Sequence, residues 1–160
     1  LFNLLETFLS NRVDELNKQD VKLKIIGVKN FSKKLNYLIN FAENKTSKNS
    51  KLQINLALNY GSKAELIYAF KKILKNKLSI NEKNLSNNLQ TKNIPDPEIL
   101  IRTGNTKRLS NFLLWQIAYA ELYFTNVFWP DFNKLDFYKA LNFYTKRERR
   151  FGKTSKQIND

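Results

Sequence analysis

The chain has 160 residues, of which 42% are hydrophobic and 13% aromatic, enough to bury one core but not two. It contains no cysteine and no histidine, which excludes disulfides, thiolate metal sites and the commonest general base. A net charge of +14 ordinarily suggests a nucleic acid or an anionic membrane as partner, but the lysines are spread singly along the chain. We interpret most of this charge as a solvated surface, with a weak attraction to acidic lipid headgroups as the alternative.

The first third of the sequence alternates helical and strand patterns. Apolar residues recur at helical spacing over the first eighteen or so residues, which predicts an amphipathic helix. Residues 21–26 alternate and then become apolar before Gly27, which predicts a strand, and residues 32–43 have the pattern of a second helix.

A second strand and a third helix are predicted next. Residues 52–58 are alternating and then continuously apolar, and Gly61 follows them closely. Ser62 and Glu65 have the spacing of a capping box, which predicts the start of a helix at this point.

The last third begins after a polar, asparagine-rich connection that ends near Pro95. Residues 99–101 are apolar and predict a short buried strand. We expect a helix over residues 113–120, a strand over residues 122–125 and a closing helix from residue 135 to about residue 149.

This alternation predicts the α/β class, with a parallel β-sheet flanked by helices, in a single domain over residues 1–160. Three of the four glycines, Gly27, Gly61 and Gly104, come directly after a predicted strand. Ligands of parallel sheets bind beyond the carboxyl ends of strands, where the backbone must turn tightly or approach the ligand. A glycine in this position can equally serve only the turn.

A basic segment follows the strand that ends before Gly104. It reads IRTGNTKRLSNFLLWQ and carries Arg102, Lys107 and Arg108, with a hydroxyl at Ser110. Because a guanidinium donates two parallel hydrogen bonds and stays charged, two such arginines can hold a diphosphate. The alternative is that both arginines are ordinary surface ion-pair formers.

This segment, followed by AYAELYFT, VFWPDF and RERRFG, resembles the C-terminal signature of the cis-prenyltransferases, above all the bacterial undecaprenyl diphosphate synthases. Order and spacing match over more than fifty residues. The resemblance implies the family's fold and a soluble, cytoplasmic enzyme, at the inner face of the membrane if the attraction to lipid holds. No apolar run approaches the roughly 20 residues that span a bilayer, and no signal-peptide pattern opens the sequence.

The resemblance also implies the reaction and the site. Isopentenyl diphosphate would condense with an allylic diphosphate, farnesyl diphosphate, to give a long cis-polyprenyl diphosphate of the undecaprenyl class. Arg102, Arg108 and Ser110, with Leu109 in the same run, would hold isopentenyl diphosphate, and Glu121 would help to bind Mg²⁺.

Further roles follow from the same resemblance. Leu52 would lie at the floor of the tunnel that receives the growing chain, although its periodicity alone indicates a core residue. Arg150, Phe151 and Gly152 match the element that reaches across a homodimer to the partner's active site. Product length and the allylic primer are not determined by these residues.

Two departures from the family pattern bear on activity. The family usually has glycine or serine, glutamate and histidine where this chain has Asn105, Thr106 and Lys107, which removes an acid and a metal contact. The family's opening third, with its metal-binding aspartate, is absent. We therefore expect the C-terminal two thirds of a longer enzyme, inactive alone and poorly soluble because unpaired strand edges would be exposed.

Two alternatives come from other functional classes. A non-catalytic partner subunit of a heteromeric cis-prenyltransferase would keep the fold and the ending at residues 150–152, but the intact arginine, serine and glutamate set argues against it. A basic nucleic-acid-binding module would bind with a steep dependence on salt. We find no nucleic-acid motif to support it.

Overall fold

The computed structural model describes residues 2–147. The chain divides into two compact units, and the boundary along the sequence falls between Ile94 and Pro95. Each unit contains a pair of parallel strands accompanied by helices, which confirms the predicted α/β class. The single domain over residues 1–160 stays a prediction. No helix among the described residues is long and apolar enough to cross a bilayer.

The first unit is a βαβ arrangement followed by two further helices. Its two strands are parallel and in register, with Val21 opposite Leu52 and Ile26 opposite Ala57. The second helix makes the crossover that a parallel pair requires. The elements in chain order are α1 (Phe2–Lys18), β1 (Val21–Ile26), α2 (Lys33–Lys45), β2 (Leu52–Ala57), α3 (Ser62–Lys75) and α4 (Glu82–Asn88).

The core of this unit lies between the first two helices and β1. α1 and α2 contact each other and β1, and their apolar faces join those of the strand in one buried cluster of Leu9, Val13, Leu23, Ile25, Leu35, Ile39 and Ala42. The N–H groups of Leu23 and Ile25 donate to Thr46 Oγ1 (3.0 Å) and Glu43 Oε1 (2.8 Å). Side chains at the end of α2 therefore satisfy N–H groups of β1 that its ladder with β2 does not use.

The second unit has one parallel strand pair and one helix among its described residues. β3 (Ile99–Arg102) lies beside β4 (Glu121–Phe124), and α5 (Lys134–Thr145) packs on β4. The ring centroids of Tyr123 and Phe143 are 5.3 Å apart across this contact. A short 3-10 turn, Trp129–Asp131, precedes α5.

The helix predicted over residues 113–120 is wrong, because this segment forms turns. Leu113 has a φ of +46°, which is outside the helical region, and Asn111 just before it has a φ of +61°. Isolated turn bonds remain, from the N–H of Ile117 to the C=O of Leu113 and from the N–H of Ala120 to the C=O of Ile117, both at 3.0 Å. The segment instead buries Gln116 and Ile117, so tertiary burial overrides the local helical pattern.

The predicted capping box at Ser62 is also wrong, although the helix begins there as expected. Gly61 is the N-cap and provides no side-chain cap, while Ser62 is the first helical residue. Glu65 is buried and its carboxylate accepts from the Tyr60 hydroxyl (2.6 Å) and the Gln90 N–H (2.8 Å). The carboxylate therefore links the start of this helix to the distant backbone at Gln90.

The asparagine-rich connection contains a helix that the composition did not indicate. Asn81 caps α4 by accepting from the N–H of Asn84 at 2.8 Å, and Leu85 is buried beneath it. The other predicted helices and strands are confirmed to within a few residues at their ends. Residues 148 and 149, in the predicted end of the last helix, lie outside the described residues.

Candidate functional site

Two of the predicted anion-binding arginines line one cavity at the end of β3. Arg102 is the last residue of β3, and Arg108 lies in the loop that leaves the strand. The cavity has a volume of about 280 Å³ and is lined by Leu100, Ile101, Arg102, Arg108, Leu109 and Phe112. The structure therefore brings both arginines and Leu109 to one small cavity, close to the strand end where α/β proteins bind ligands.

The loop after β3 is held against the loop after β4 by backbone hydrogen bonds. The N–H of Thr125 donates to the C=O of Arg102 (2.9 Å), and the N–H of Asn105 donates to the C=O of Thr125 (3.1 Å). The N–H of Gly104 donates to the C=O of Val127 (2.8 Å). Gly104 has a φ of +80°, which a residue without Cβ adopts at little cost. Pairing thus continues beyond the strands and fixes the backbone that carries Arg102.

The cations of this loop have no protein partners among residues 2–147. Neither Arg102 nor Arg108 makes a side-chain hydrogen bond or an ion pair there, and the same holds for Lys107. Arg102 is half-buried, whereas the other two side chains are exposed. A guanidinium stays ionised at physiological pH, and partial burial without a partner is costly. The arrangement therefore favours a bound anion.

Ser110, the third predicted ligand of isopentenyl diphosphate, is exposed and follows Leu109 in the chain, but it is not among the residues that line this cavity. Its φ of +49° is in the left-handed region, as are those of Asn105 (+53°), Asn111 (+61°) and Leu113 (+46°). A non-glycine residue held in a sparsely populated region costs on the order of 1–3 kcal/mol. Backbone strain is thus concentrated in the loop that carries the predicted diphosphate ligands.

Glu121, the predicted metal ligand, is the first residue of β4. The register pairs Glu121 with Ile99 and Arg102 with Phe124. Glu121 is therefore three residues, or roughly 10 Å along the strand direction, from the end where Arg102 lies. The structure places the carboxylate toward the opposite end of this strand pair from the arginine cavity.

The chemistry of Glu121 fits Mg²⁺ in ligand type. Its half-buried carboxylate makes no hydrogen bond or ion pair with the residues that the structure describes. Over the same residues 2–147, no group of three or more histidine, cysteine, aspartate or glutamate side chains could hold a metal ion. A single carboxylate suits Mg²⁺, which keeps several waters and takes further ligands from substrate phosphates.

The remaining predicted site residues are not among those that line the β3 cavity in the described part of the second unit. Leu52 opens β2 in the first unit and is 54% exposed, so it is not a core residue as its periodicity indicated. Arg150, Phe151 and Gly152 lie outside the described residues.

The sequence analysis missed a larger cavity in the first unit, beyond the carboxyl ends of β1 and β2. Its volume is about 570 Å³, and it is lined by Gly27, Val28, Lys29, Asn59, Tyr60, Gly61, Ala64, Glu65, Tyr68 and Gln90. Gln90 Oε1 accepts from the N–H of Gly27 at 2.6 Å, and Lys24 Nζ donates to the C=O of Gln90 at 2.7 Å. The glycines after both strands pointed to this edge, but nothing in the local sequence indicated Gln90.

The fold and the loop together define an α/β protein in which two arginines line a cavity at the end of a parallel strand. A family model described as "Putative undecaprenyl diphosphate synthase" matches residues 1–152. The chain belongs to this family of prenyltransferases.

Curated relatives agree over almost the whole chain. The isoprenyl transferase of Rickettsia typhi is 44% identical over 155 residues, which cover 96% of this chain and 69% of that protein. The ditrans,polycis-undecaprenyl-diphosphate synthase of Haemophilus influenzae, described as specific for (2E,6E)-farnesyl diphosphate, is 47% identical over 162 residues. That match covers 96% of this chain and 68% of the relative.

Solved structures show the same fold. A probable undecaprenyl diphosphate synthase from Campylobacter jejuni superposes with a TM-score of 0.87 at 39% identity, over 95% of this chain and 73% of that one. Lavandulyl diphosphate synthase from Lavandula x intermedia, solved with dimethylallyl diphosphate, gives a TM-score of 0.88 at 33% identity. The match covers 95% of this chain and 70% of the lavandulyl diphosphate synthase chain.

Proposed function

We propose that this chain carries the part of an isoprenyl transferase that binds isopentenyl diphosphate. The whole enzyme condenses isopentenyl diphosphate with farnesyl diphosphate, and the product is a long cis-polyprenyl diphosphate of the undecaprenyl class. Curated relatives with these names support the reaction. The observation that carries the proposal is the cavity at the end of β3, with two arginines that have no partner among residues 2–147.

Each residue of the loop has a distinct part in binding. Arg102, fixed by the strand, and Arg108, in the loop, hold the phosphates by charge-assisted hydrogen bonds. Ser110, the next residue after Leu109, adds a hydroxyl donor to the bound diphosphate. Lys107 adds positive charge in place of the family's usual residue, so we expect affinity for the anion to be kept.

The role of these residues in turnover is positioning. A diphosphate held by two arginines directs the isopentenyl double bond toward the allylic carbon, and orientation of two reactants accounts for a large part of many rate enhancements. The diphosphate that departs is that of the allylic substrate, so its developing charge would be offset by the allylic-site groups and the metal ion rather than by Arg102 and Arg108. Allylic-site groups and the metal-binding aspartate are expected from sequence outside this chain, so we expect no turnover by the chain alone.

A magnesium ion belongs to this proposal, with Glu121 as its ligand in this chain. When bound, such an ion would neutralise charge on the diphosphate groups. The unpaired, half-buried carboxylate of Glu121 supports the assignment.

The proposal extends to the setting of the enzyme. We infer a cytoplasmic homodimer that supplies a lipid carrier for cell-wall sugars, with Arg150, Phe151 and Gly152 reaching the partner's active site. Leu52, exposed at the start of β2, would contact the growing chain or the segment that encloses it. These features rest on the family resemblance.

Calorimetric titration of the chain with isopentenyl diphosphate tests the proposed site. We expect saturable binding, and at least about a tenfold loss of affinity for Arg102→Ala and for Arg108→Ala, because each removes a charge-assisted hydrogen bond. Isopentenol, which lacks the diphosphate, should not bind measurably.

The matched control is Arg12→Ala, which also removes one positive charge. Arg12 is exposed on α1 and pairs with Glu15 at 2.7 Å. It belongs to the first unit, whereas the β3 cavity belongs to the second. Its loss should leave the affinity within about twofold, since surface pairs are weak. Equal losses for all three variants would show that the diphosphate responds only to overall charge and would overturn the proposal.

A further inference from the structure

The outward face of α3 carries an unusually exposed apolar stripe. Ile67, Phe70 and Leu74 recur at i, i+3 and i+7, which places them on one side of the helix. They are 57%, 37% and 64% exposed, whereas Ala69 and Ile73, on the neighbouring face of the helix, are completely buried. The stripe therefore does not belong to the core of the first unit.

Two further exposed apolar residues follow the end of the helix. Leu78 and Ile80 are 43% and 64% exposed in the connection that follows. Lys77 has a φ of +53°, so the chain turns sharply there rather than continuing the helix. We call the exposed lysines and large apolar or aromatic residues of 63–80 the α3 surface: Lys63, Ile67, Tyr68, Phe70, Lys71, Lys72, Leu74, Lys75, Lys77, Leu78 and Ile80.

The charge on the α3 surface has one sign. Five of its residues are lysines, and residues 66–81 contain no acidic residue. The one acid within α3, Glu65, is buried and hydrogen-bonded to Tyr60 and Gln90. Lys72 Nζ lies 4.7 Å from the ring centroid of Tyr68, so this lysine lies along an aromatic side chain.

We propose that the α3 surface docks the protein on an anionic lipid bilayer. Aliphatic and aromatic side chains in a stripe, with lysines along its flank, are the composition of helices that lie in the membrane interface. The apolar side chains enter the acyl boundary, while the long lysine stems keep their ammonium groups among the headgroups. Anionic headgroups attract each lysine near the surface.

Other occupants fit this surface less well. A second copy of the chain, docked through the same face, would bring five lysines against five lysines with no exposed acid between them. A nucleic acid would use the lysines and the rings of Tyr68 and Phe70, but it would leave the aliphatic side chains of Ile67, Leu74 and Ile80 without a partner. A lipid bilayer uses both the charge and the aliphatic stripe, which is why we commit to it.

Vesicle sedimentation with the full chain tests the docking surface. Vesicles of neutral phosphatidylcholine are compared with vesicles containing one third phosphatidylglycerol, at fixed ionic strength. We expect the chain to sediment with the anionic vesicles and to remain in solution with the neutral ones. Lys71→Glu with Lys75→Glu should weaken binding by at least about tenfold, since each lysine near the surface adds about 1 kcal/mol.

A second variant and a matched control separate this surface from bulk charge. Ile67→Ser with Leu74→Ser keeps every charge and alters only exposed side chains, so it should fold and still lose most of its binding. Lys48→Glu with Lys51→Glu makes the same charge change in the exposed loop after α2 and should bind as the unchanged chain does. Circular dichroism confirms folding of each variant.

The outcomes are decisive in either direction. Loss in both α3 variants with retention in the loop control supports the proposal. Equal loss in the loop control, failure of the unchanged chain to sediment, or α3 variants that alter only self-association or RNA binding would overturn it. The proposal does not depend on the isopentenyl diphosphate site, because Arg102→Ala should leave vesicle binding unchanged.

Discussion

Gly27 offers the sharpest test of how the first unit is built. It follows β1 with a φ of +117°, and a Cβ added there would lie 1.9 Å from the backbone oxygen of Leu58. No rotamer can relieve this overlap, since the neighbouring atom belongs to the backbone after β2. Gly27→Ala must therefore separate the two strand ends or distort both.

The expected cost follows from the contacts at risk. The N–H of Gly27 donates to Gln90 Oε1 (2.6 Å), and the N–H of Val28 donates to the C=O of Asn59 (3.1 Å). Two weakened hydrogen bonds and a strained φ add up to about 3–5 kcal/mol of lost stability. That is a large part of the roughly 5–15 kcal/mol by which a domain is stable.

Gly104→Ala is the matched control, because Gly104 also has a positive φ, of +80°, but only an ordinary contact at 3.8 Å to Phe128. It should lose only about 1–2 kcal/mol, from backbone strain alone. Urea unfolding measures both variants, with far-UV circular dichroism for the whole chain and fluorescence of Trp115 and Trp129 for the second unit. Equal losses for the two variants would refute the steric argument.

Three further predictions concern the second unit. Arg108→Lys should bind isopentenyl diphosphate with less than half the affinity of the unchanged chain, because an ammonium cannot make the bidentate contact. Calorimetry should still detect some binding, since the positive charge is kept. Ser110→Gly should raise stability by about 1 kcal/mol, by relieving the φ of +49°, while weakening isopentenyl diphosphate binding; a stability loss in urea would contradict this. The Lys139 ammonium, 2.8 Å away, and the N–H of Asn133 lower the pKa of Asp136. The lowered pKa contributes stability that is fully present above the ordinary aspartate pKa of about 3.9, and this stability is lost as pH falls from there through the lower pKa of the folded state. Between pH 2 and 6 the melting temperature of the unchanged chain should therefore depend more steeply on pH than that of Asp136→Asn. An equal pH dependence in the two proteins would exclude the effect.

The strands and most helices could be predicted because their patterns are local. The first strand alternates and then becomes fully apolar, and its burial follows that pattern, with Val21, Leu23, Ile25 and Ile26 buried. Helices α1 and α2 bury the apolar residues that recur at helical spacing, such as Leu9 and Val13 in α1. Periodicity is sufficient where one face of an element meets one core.

The predictions failed where distant residues decide the conformation. The apolar run from Leu113 has helical spacing, yet left-handed residues at Ser110, Asn111 and Leu113 turn the chain before a helix can form. Glu65 has the spacing of a capping residue, but its carboxylate is bonded to the N–H of Gln90, 25 residues away. Neither fact is present in the local sequence.

The candidate site was predictable in its residues but not in its arrangement. The motif identified Arg102 and Arg108, and the structure brings them to one cavity with Leu109. The same motif placed Glu121 in the site without indicating that β4 begins with it, three register positions from the strand end that carries Arg102. The register of two strands separated by a long loop depends on tertiary pairing, which a motif does not encode.

The most direct test of the central claim is a crystal structure of the chain with isopentenyl diphosphate. The account predicts diphosphate density in the β3 cavity, with phosphate oxygens within hydrogen-bond distance of the Arg102 and Arg108 guanidinium groups and near Ser110. Diphosphate bound instead in the cavity beyond β1 and β2, with both arginines turned away to solvent, would contradict it.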